Sequence, residues 1–419
     1  MIAVGIIILA IMGVPLFAII GLSALVSFYN AEIDSAAIFI ELYRVASNPT
    51  LIAIPLFTFS GFILAHGKTP ERLARISQTI LSGTPGGIPI AILMACAFFT
   101  ALTGASGVTI IALGGLLYPL LLREKYGENF SLGMITSSGS LGLLFPPSLP
   151  LILYGLIAQV SIDKLFIAGI VPGLIMILIL SLFAITRSSQ SIKTFNWAEA
   201  KSALIDASWE LPLPFIILLG IYGGFLTVTE AASVTVVYVI LIETFIYNDL
   251  DIFRDLPNLM KQSMMLVGTI LIILGTAMGF TSYLVDEQVP MTILSTMKQF
   301  IHDPLTFLMV LNVFLLIVGC MMDIFSAIIV VVPLIIPIAK SFDINMIHLG
   351  IVFLTNLEIG YSTPPVGINL FIAATRFEKP VLKLYQSVLP FLGLRLIGLI
   401  LITYIPAISL FLVDWIAYK

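Results

Sequence analysis

The chain has 419 residues, 59% of them apolar and only 10% charged, with a net charge of −4 and a mean hydropathy of +1.14. That balance excludes a water-soluble fold and defines a polytopic membrane protein, read here as all-α. With so small a net charge and no long basic run, nothing points to nucleic acid. Cys96 and Cys320 both lie in apolar segments, so neither a disulfide framework nor a zinc site is expected.

In chain order, the apolar stretch from Ile2 to Phe28 lacks a basic leader and is too long for a signal-peptide core, so it is expected to be a retained transmembrane helix. Runs of apolar residues predict spans at 2–29, 49–66, 165–186, 211–227, 230–247, 263–284 and 386–413. Two more, about 130–158 and 347–374, contain tandem prolines. The runs 86–122 and 304–339 are too long for one span and carry small or polar residues halfway, which suits helical hairpins. Polar connectors at 31–48, 187–210 and 248–262 read as amphipathic surface helices.

Basic residues test the orientation. If both long runs are hairpins that enter and leave on one side, Lys68, Arg72, Arg75, Arg123, Lys125, Arg187, Lys193, Lys201, Arg254, Lys261, Arg376, Lys379 and Lys383 share one face. Only Arg44, Lys164, Lys298, Lys340 and Lys419 lie on the other. The rich face is then cytoplasmic, the N-terminus inside and the C-terminus outside.

The stretch Gly142-Leu-Leu-Phe-Pro-Pro-Ser-Leu-Pro150 recurs in kind as Gly360-Tyr-Ser-Thr-Pro-Pro-Val-Gly367. The shift that carries Gly142 onto Gly360 also carries Pro119 onto Pro337 and Gly61-Phe62 onto Gly279-Phe280. One ungapped offset over so long a stretch marks an internal repeat. With the orientation above, the two halves are inverted, each reading as helix, hairpin, broken helix, helix. The expected organisation is an N-terminal scaffold helix and amphipathic arm (1–48), a first inverted repeat (49–186), scaffold helices and connectors (187–262) and a second repeat (263–419). Paired interrupted helices in inverted repeats are the architecture of secondary transporters. A break at membrane depth is tolerated where its backbone is buried in protein or lines a site; free carbonyls there can coordinate a cation, and half-helix N-termini can face an anion. A proline kink that serves packing alone is the competing reading.

At the first hairpin tip, Thr103-Gly-Ala-Ser-Gly107 brings small residues and two hydroxyls. The shift places Met321-Met322-Asp323 at the second tip. Asp323 is an acid deep in an apolar run, suited to a cation or a proton, unless water simply reaches the tip. Asn356, Glu358 and Asn369 flank the second break and Ser148 follows the first. The asparagines could hold substrate or tie off orphan carbonyls. Glu230 could simply sit at an external turn near Thr229, whereas Arg395 could snorkel, pair with a carboxylate or neutralise an anion. The tip also resembles the nucleophile segment of rhomboid intramembrane proteases, with Ser106 as nucleophile, but His66 and His302 sit at segment ends, His348 lacks the glycine spacing of the rhomboid histidine helix, and a protease leaves the repeat unexplained. A channel or scaffold fits the paired breaks less well than alternating access. No phosphate-binding loop is present, so transport would run on an ion gradient.

Five motifs carry a family resemblance over nearly the whole chain: "GVPLF" (Gly13 to Phe17), "TGASG", "SLGLLFPPS" (Ser140 to Ser148), "PLIIPIA" (Pro333 to Ala339) and "TPPVGINLF" (Thr363 to Phe371). The sequence resembles the large membrane (M) subunit of TRAP transporters, the tripartite ATP-independent periplasmic family. The resemblance implies an elevator-type fold of the ion transporter superfamily, in a bacterial inner membrane, importing an organic acid anion with Na+ (two or more ions). It also implies a separate small transmembrane subunit of about four helices, not fused at this N-terminus, and a soluble periplasmic substrate-binding protein. Carried over, one sodium site would use Thr103, Ala105, Gly142, Phe145 and Pro147, and the second Met321, Asp323, Gly360, Thr363 and Pro365. Substrate would lie near Ser106, Ser148, Asn356 and Asn369. A proton-coupled carboxylate transporter of related fold, working without a binding protein, is the alternative. No enzymatic activity is expected.

Overall fold

The computed structural model describes residues 12–34, 36, 39–40, 43, 47–81, 83–84, 86–187 and 196–417; among these it is helical, with no strand. The expected first span is therefore described only from residue 12, and the connectors 31–48 and 187–210 only in part.

The first half contains α1 (Leu16–Asn30), α2 (Ala53–His66), the amphipathic α3 (Thr69–Thr79), α4 (Gly87–Thr103), α5 (Ser106–Arg123), α6 (Glu128–Ser138), α7 (Leu149–Ala158) and α8 (Ile162–Thr186). Then come α9 (Trp197–Asp206), α10 (Leu213–Tyr222) and α11 (Val228–Leu241), which runs into a π turn at Ile242–Ile246. The second half contains α12 (Asp255–Asp286), α13 (Val289–Met297), α14 (Pro304–Met321), α15 (Ile324–Ser341), α16 (Met346–Gly360), α17 (Ile368–Phe377), α18 (Val381–Tyr404) and α19 (Ala407–Ala417). Among the described residues, eight helices are long and apolar enough to cross a membrane, and the bent pair formed by Glu128–Leu144 and Leu149–Ala158 makes a ninth span if counted as one.

Both long apolar runs fold as helix–turn–helix. Gly104, at φ +67°, ends α4 in the left-handed region where glycine is at ease, and Asp323 starts α15 by accepting the amides of Phe325 and Ser326. Three expected spans differ from the structure. The segment 211–227 yields only the ten-residue α10, because Gly223 and Gly224 (φ +72°) stop it. The segment 263–284 is the middle of the 32-residue α12. Pro257 falls in its first turn, where the missing amide costs little, so the second half of connector 248–262 joins the span. The expected helix 386–413 begins earlier and splits, since Pro406 pushes Ile405 out of helical geometry and separates α18 from α19. Glu230 closes a capping box with Thr227 at the start of α11.

Helices related by the constant sequence offset make reciprocal contacts. The second half of the first broken helix, α7, packs on α15, and the second half of the other, α17, packs on α5. Likewise α18 packs on α6, and α8 on α16. Each broken helix is thus held between its own hairpin and the hairpin of the other half.

Polar groups gather at two ends. At one, Arg72 of α3 reaches Glu210 (2.5 Å), Glu243 (3.7 Å) and Asp249, and its guanidinium lies 3.5 Å from the centre of the Tyr247 ring. Thr69 Oγ1 donates towards Glu210 and Glu243 at 2.8 and 3.0 Å, and Arg75 pairs with Asp206. Burial raises the Glu210 carboxyl above the usual glutamate range, against the pull of Arg72. Lys379 and Lys383 both pair with Glu128. Elsewhere, Tyr222 Oη donates to the Asp163 carbonyl and Thr229 Oγ1 to the Pro49 carbonyl, and loops 48–50, 159–163 and 226–229 line a common pocket.

Candidate functional site: two proline breaks and two hairpin tips

Helix α6 stops at Ser138, a 3-10 turn covers Leu141–Leu144, and an extended link through Phe145 and the two prolines leads to α7, bent by 44°. In the second half α16 ends at Gly360 and α17 starts at Ile368. The Pro146–Pro147 and Pro364–Pro365 bonds are both cis. The glycine at the head of each break lies against the first arm of its own hairpin. A Cβ on Gly142 would meet the Ala101 amide and Thr100 Cβ at 2.5 Å, and one on Gly360 would meet Gly319 at 2.6 to 2.7 Å. Ala101 and Gly319 are themselves related by the offset that carries Gly142 onto Gly360. Both residues must be glycine for helix and hairpin to come this close.

The expected ion-site residues fall into these two clusters. Around the first break, Thr103 and Pro147 are buried, Ala105 and Phe145 half-buried, and the Gly142 carbonyl accepts the Phe145 amide at 3.0 Å. Thr103 Oγ1 is buried without a hydrogen-bond partner among the described residues. The second cluster is more open: Met321 is 66% exposed, Pro365 and Val366 are exposed, and Thr363 is half-buried. Several of its groups are already engaged. Thr363 Oγ1 donates to the Ile359 carbonyl at 2.9 Å, the Gly360 carbonyl accepts the Thr363 amide, and the Pro365 carbonyl accepts Tyr385 Oη. Asp323 accepts from Phe325, Ser326 and the Ser326 hydroxyl, so it holds the second tip as a helix cap. Tip and break are joined by the Gly367 amide, which donates to the Cys320 carbonyl at 2.9 Å, and by the Ile324 amide, which donates to Tyr361 Oη.

Of the expected substrate residues, Ser106 and Asn369 meet: Ser106 Oγ donates to Asn369 Oδ1 at 2.8 Å across the two halves. Asn369 Nδ2, Ser148 Oγ and Ser362 Oγ are buried without partners among the described residues. Asn356 is placed otherwise. Its amide donates to Asn312 Oδ1 (2.7 Å) and the Val352 carbonyl (2.9 Å), and Asn312 continues to Thr403. His348 contacts Ser409 Oγ and the Thr403 carbonyl. Ser106 and His348 therefore form no nucleophile–base pair. Arg395 and Glu358 are both fully buried and pair at 2.7 Å, which settles the three readings of Arg395 in favour of a carboxylate partner. Sequence reasoning missed Ser137, Ser140 and Ser362, whose only signal is a hydroxyl inside an apolar run.

Chemically, this centre offers two half-helix N-termini, unpartnered hydroxyl and amide groups and bent backbone, with the one buried ion pair already neutral. Such a set suits a small polar solute and small cations, and contains no assembled nucleophile among the described residues.

Residues 3–408 match the family model described as "Tripartite ATP-independent periplasmic transporter, DctM component". The chain is 36% identical over 406 residues to the C4-dicarboxylate TRAP transporter large permease protein DctM of Pseudomonas aeruginosa, covering 95% of this chain and 94% of that protein. It is 34% identical to the isethionate TRAP transporter permease protein DctMQ of Oleidesulfovibrio alaskensis, covering 96% of this chain but 64% of that longer protein. Among solved structures, the Alcanivorax borkumensis YdaH transporter has the same fold, with a TM-score of 0.62 at 13% identity over 91% of this chain and 87% of its own. With its multi-pass helical fold and these relatives, the chain belongs to the DctM-component family of the tripartite ATP-independent periplasmic transporters.

Proposed function

We propose that this chain is the large permease subunit of a three-part importer that carries a small organic acid anion across a bacterial inner membrane, driven by Na+. C4-dicarboxylates and isethionate, named for its relatives, are the first substrates to try. The observation that carries the reading is the pair of proline breaks at one sequence offset, each with its glycine seated on a hairpin and with Thr103, Ser148, Ser362 and Asn369 leaving buried polar atoms unpartnered among the described residues around them.

Na+ would sit at the two tip-and-break clusters, Thr103, Ala105, Gly142, Phe145 and Pro147 in one and Met321, Asp323, Gly360, Thr363 and Pro365 in the other. The anion would lie between the tips at Ser106, Ser148 and Asn369, facing the N-termini of α7 and α17. Asn356 would act from behind, through Asn312. Ion binding would order both breaks and lower the cost of holding an anion between them, a coupling that is necessarily reciprocal. Hairpins and broken helices would move as one elevator domain against a scaffold of α1, α10 and α11, braced by a small membrane subunit of about four helices. A soluble periplasmic protein would deliver the substrate. The grouping of Arg72 with Glu210 and Asp249, and of Arg75 with Asp206, at one end supports a cytoplasmic face there, with the N-terminus inside and the C-terminus outside.

The test is uptake into proteoliposomes holding both membrane subunits, with binding protein and labelled succinate or isethionate outside. Accumulation is expected with an inward Na+ gradient and not with K+ or choline. Uptake driven equally by a proton gradient without Na+ would overturn the sodium assignment. Melting of the purified complex should rise in Na+ alone, by up to about 2.7 kcal/mol of stabilisation at a hundredfold excess over the dissociation constant.

A further inference from the structure

Ser140 and Glu358 are counterparts in the repeat, and they touch: Ser140 Oγ donates to the Glu358 carbonyl at 3.3 Å. A residue in contact with its own counterpart marks where the two halves meet. Each lies two positions before the glycine that seats its break on a hairpin, Gly142 or Gly360. One side chain from a third helix closes this point. Arg395 of α18 donates through Nη2 to Glu358 Oε1 (2.7 Å) and Ser140 Oγ (3.1 Å), and through Nη1 to the Ser137 carbonyl (3.3 Å). Its counterpart in the first half is Ile177, so the clamp is built from one side only.

Two simpler roles fail on the geometry. Arg395 is fully buried, so it does not snorkel, and its charge is cancelled by Glu358, so it is no counter-charge for an anion. Nor does stability account for the pair. A buried ion pair gains little over apolar residues of the same shape, and here Glu358 Oε2 and Arg395 Nε lack partners among the described residues. What the arrangement does achieve is to bond the end of α6 to the end of α16.

We infer that Arg395, with Glu358 and Ser140, is a positioning residue for transport: it clamps the two breaks into one unit, so that ordering either break orders the other. The inference rests on the proposed ion-coupled reading for its functional consequence. Its mechanical content stands apart from the identity of the ion.

The experiment compares the complex of both membrane subunits, as parent, with Glu358→Gln/Arg395→Met, which removes both charges together and avoids an unpaired buried ion. Ser140→Ala, which keeps the ion pair and deletes the bridging hydroxyl, is the second variant. The first readout is amide hydrogen exchange in the absence of substrate. The clamp predicts faster exchange at both 139–148 and 359–367 in each variant. Faster exchange confined to 359–367, with 139–148 at the parent rate, overturns it. The second readout is Na+ coupling. The parent should bind succinate roughly 5–150-fold more tightly in saturating Na+ with a Hill slope near two, and the double variant should fall to a slope near one with most of that gain lost. A folded double variant with the parent's slope and gain overturns the inference. A parent with no Na+ effect refutes the proposed function, and the exchange result then decides the clamp alone.

Discussion

Gly360→Ala adds a single carbon at the head of the second break. Its Cβ would stand 2.6 Å from Gly319 C, 2.7 Å from Gly319 Cα and 3.0 Å from the Cys320 amide nitrogen, all backbone atoms that no rotamer change can move. Ordinary contact begins near 3.4 Å, so α14 must retreat by about 0.8 Å, at the roughly 1–3 kcal/mol usual for overpacking. An ion site tolerates ligand errors of only about 0.2 Å. The displacement is several times that tolerance and falls at the second hairpin tip. We therefore expect Na+-driven uptake to drop roughly tenfold or more, while the protein still folds and melts only modestly earlier. Gly393→Ala in α18, where an added Cβ meets nothing within 4 Å, is the matched control. It should transport normally and be neutral or slightly stabilised, by up to about 1 kcal/mol. Uptake assays on proteoliposomes and melting in detergent check both. If Gly360→Ala transports within twofold of the parent and melts with it, the close approach of α14 and α16 does not position the break.

Gly142→Ala should reproduce this behaviour through α4, with the same two assays. Arg72→Met removes the cation shared by Glu210, Glu243 and Asp249; it should cost about 3–5 kcal/mol in thermal unfolding, with Arg72→Lys recovering part because it lacks the guanidinium fork. Glu210 carries a carboxyl raised above its ordinary value of 4.5 by burial. Its folded form keeps a proton that the unfolded form loses, so its contribution is full below about pH 4.5 and declines as pH rises through the raised value. Melting of the parent should therefore fall with rising pH more steeply than that of Glu210→Gln. Ser106→Ala leaves both polar ends of the buried Asn369 side chain without a partner among the described residues. It should destabilise by about 1–3 kcal/mol, and in a double-mutant cycle with Asn369→Ala the coupling should exceed about 0.5 kcal/mol. Additive losses would mean that the two halves are not joined there.

The breaks were legible because proline acts locally: Pro146-Pro147 and Pro364-Pro365 end a helix whatever packs around them. Gly104 was legible for the same reason. The stop of α10 at Gly223-Gly224 and the split of α18 from α19 at Pro406 were written in the same kind of residue, yet a hydropathy window averages over them. What the sequence hid depends on distance along the chain. Arg395 meets Glu358 37 residues away and Ser140 255 away, and Arg72 meets Glu210 across 138. No spacing rule announces such pairs. Asn356, beside a break, suits substrate or an orphan carbonyl by sequence, but its amide goes to Asn312 on the facing helix and to the Val352 carbonyl. Asp323 read as an intramembrane acid; the Ser326 three residues later was the sign of a helix cap.

The contact between Ser140 and Glu358 limits how these two halves could ever be exchanged. The bond runs from the Ser140 hydroxyl to the main-chain carbonyl of Glu358, so the first half supplies the donor side chain, while the Glu358 carboxylate turns to Arg395. The Glu358 carboxylate is held there by an arginine that only the second half carries, since Ile177 stands at the matching position of the first. A symmetric assembly of two second halves would crowd two Glu358 and two Arg395 side chains into space that holds one of each. Two first halves would put Ser140 against Ser140, with Ile177 where the arginine stands. Neither half can replace the other, and the asymmetry is concentrated at the point where they meet.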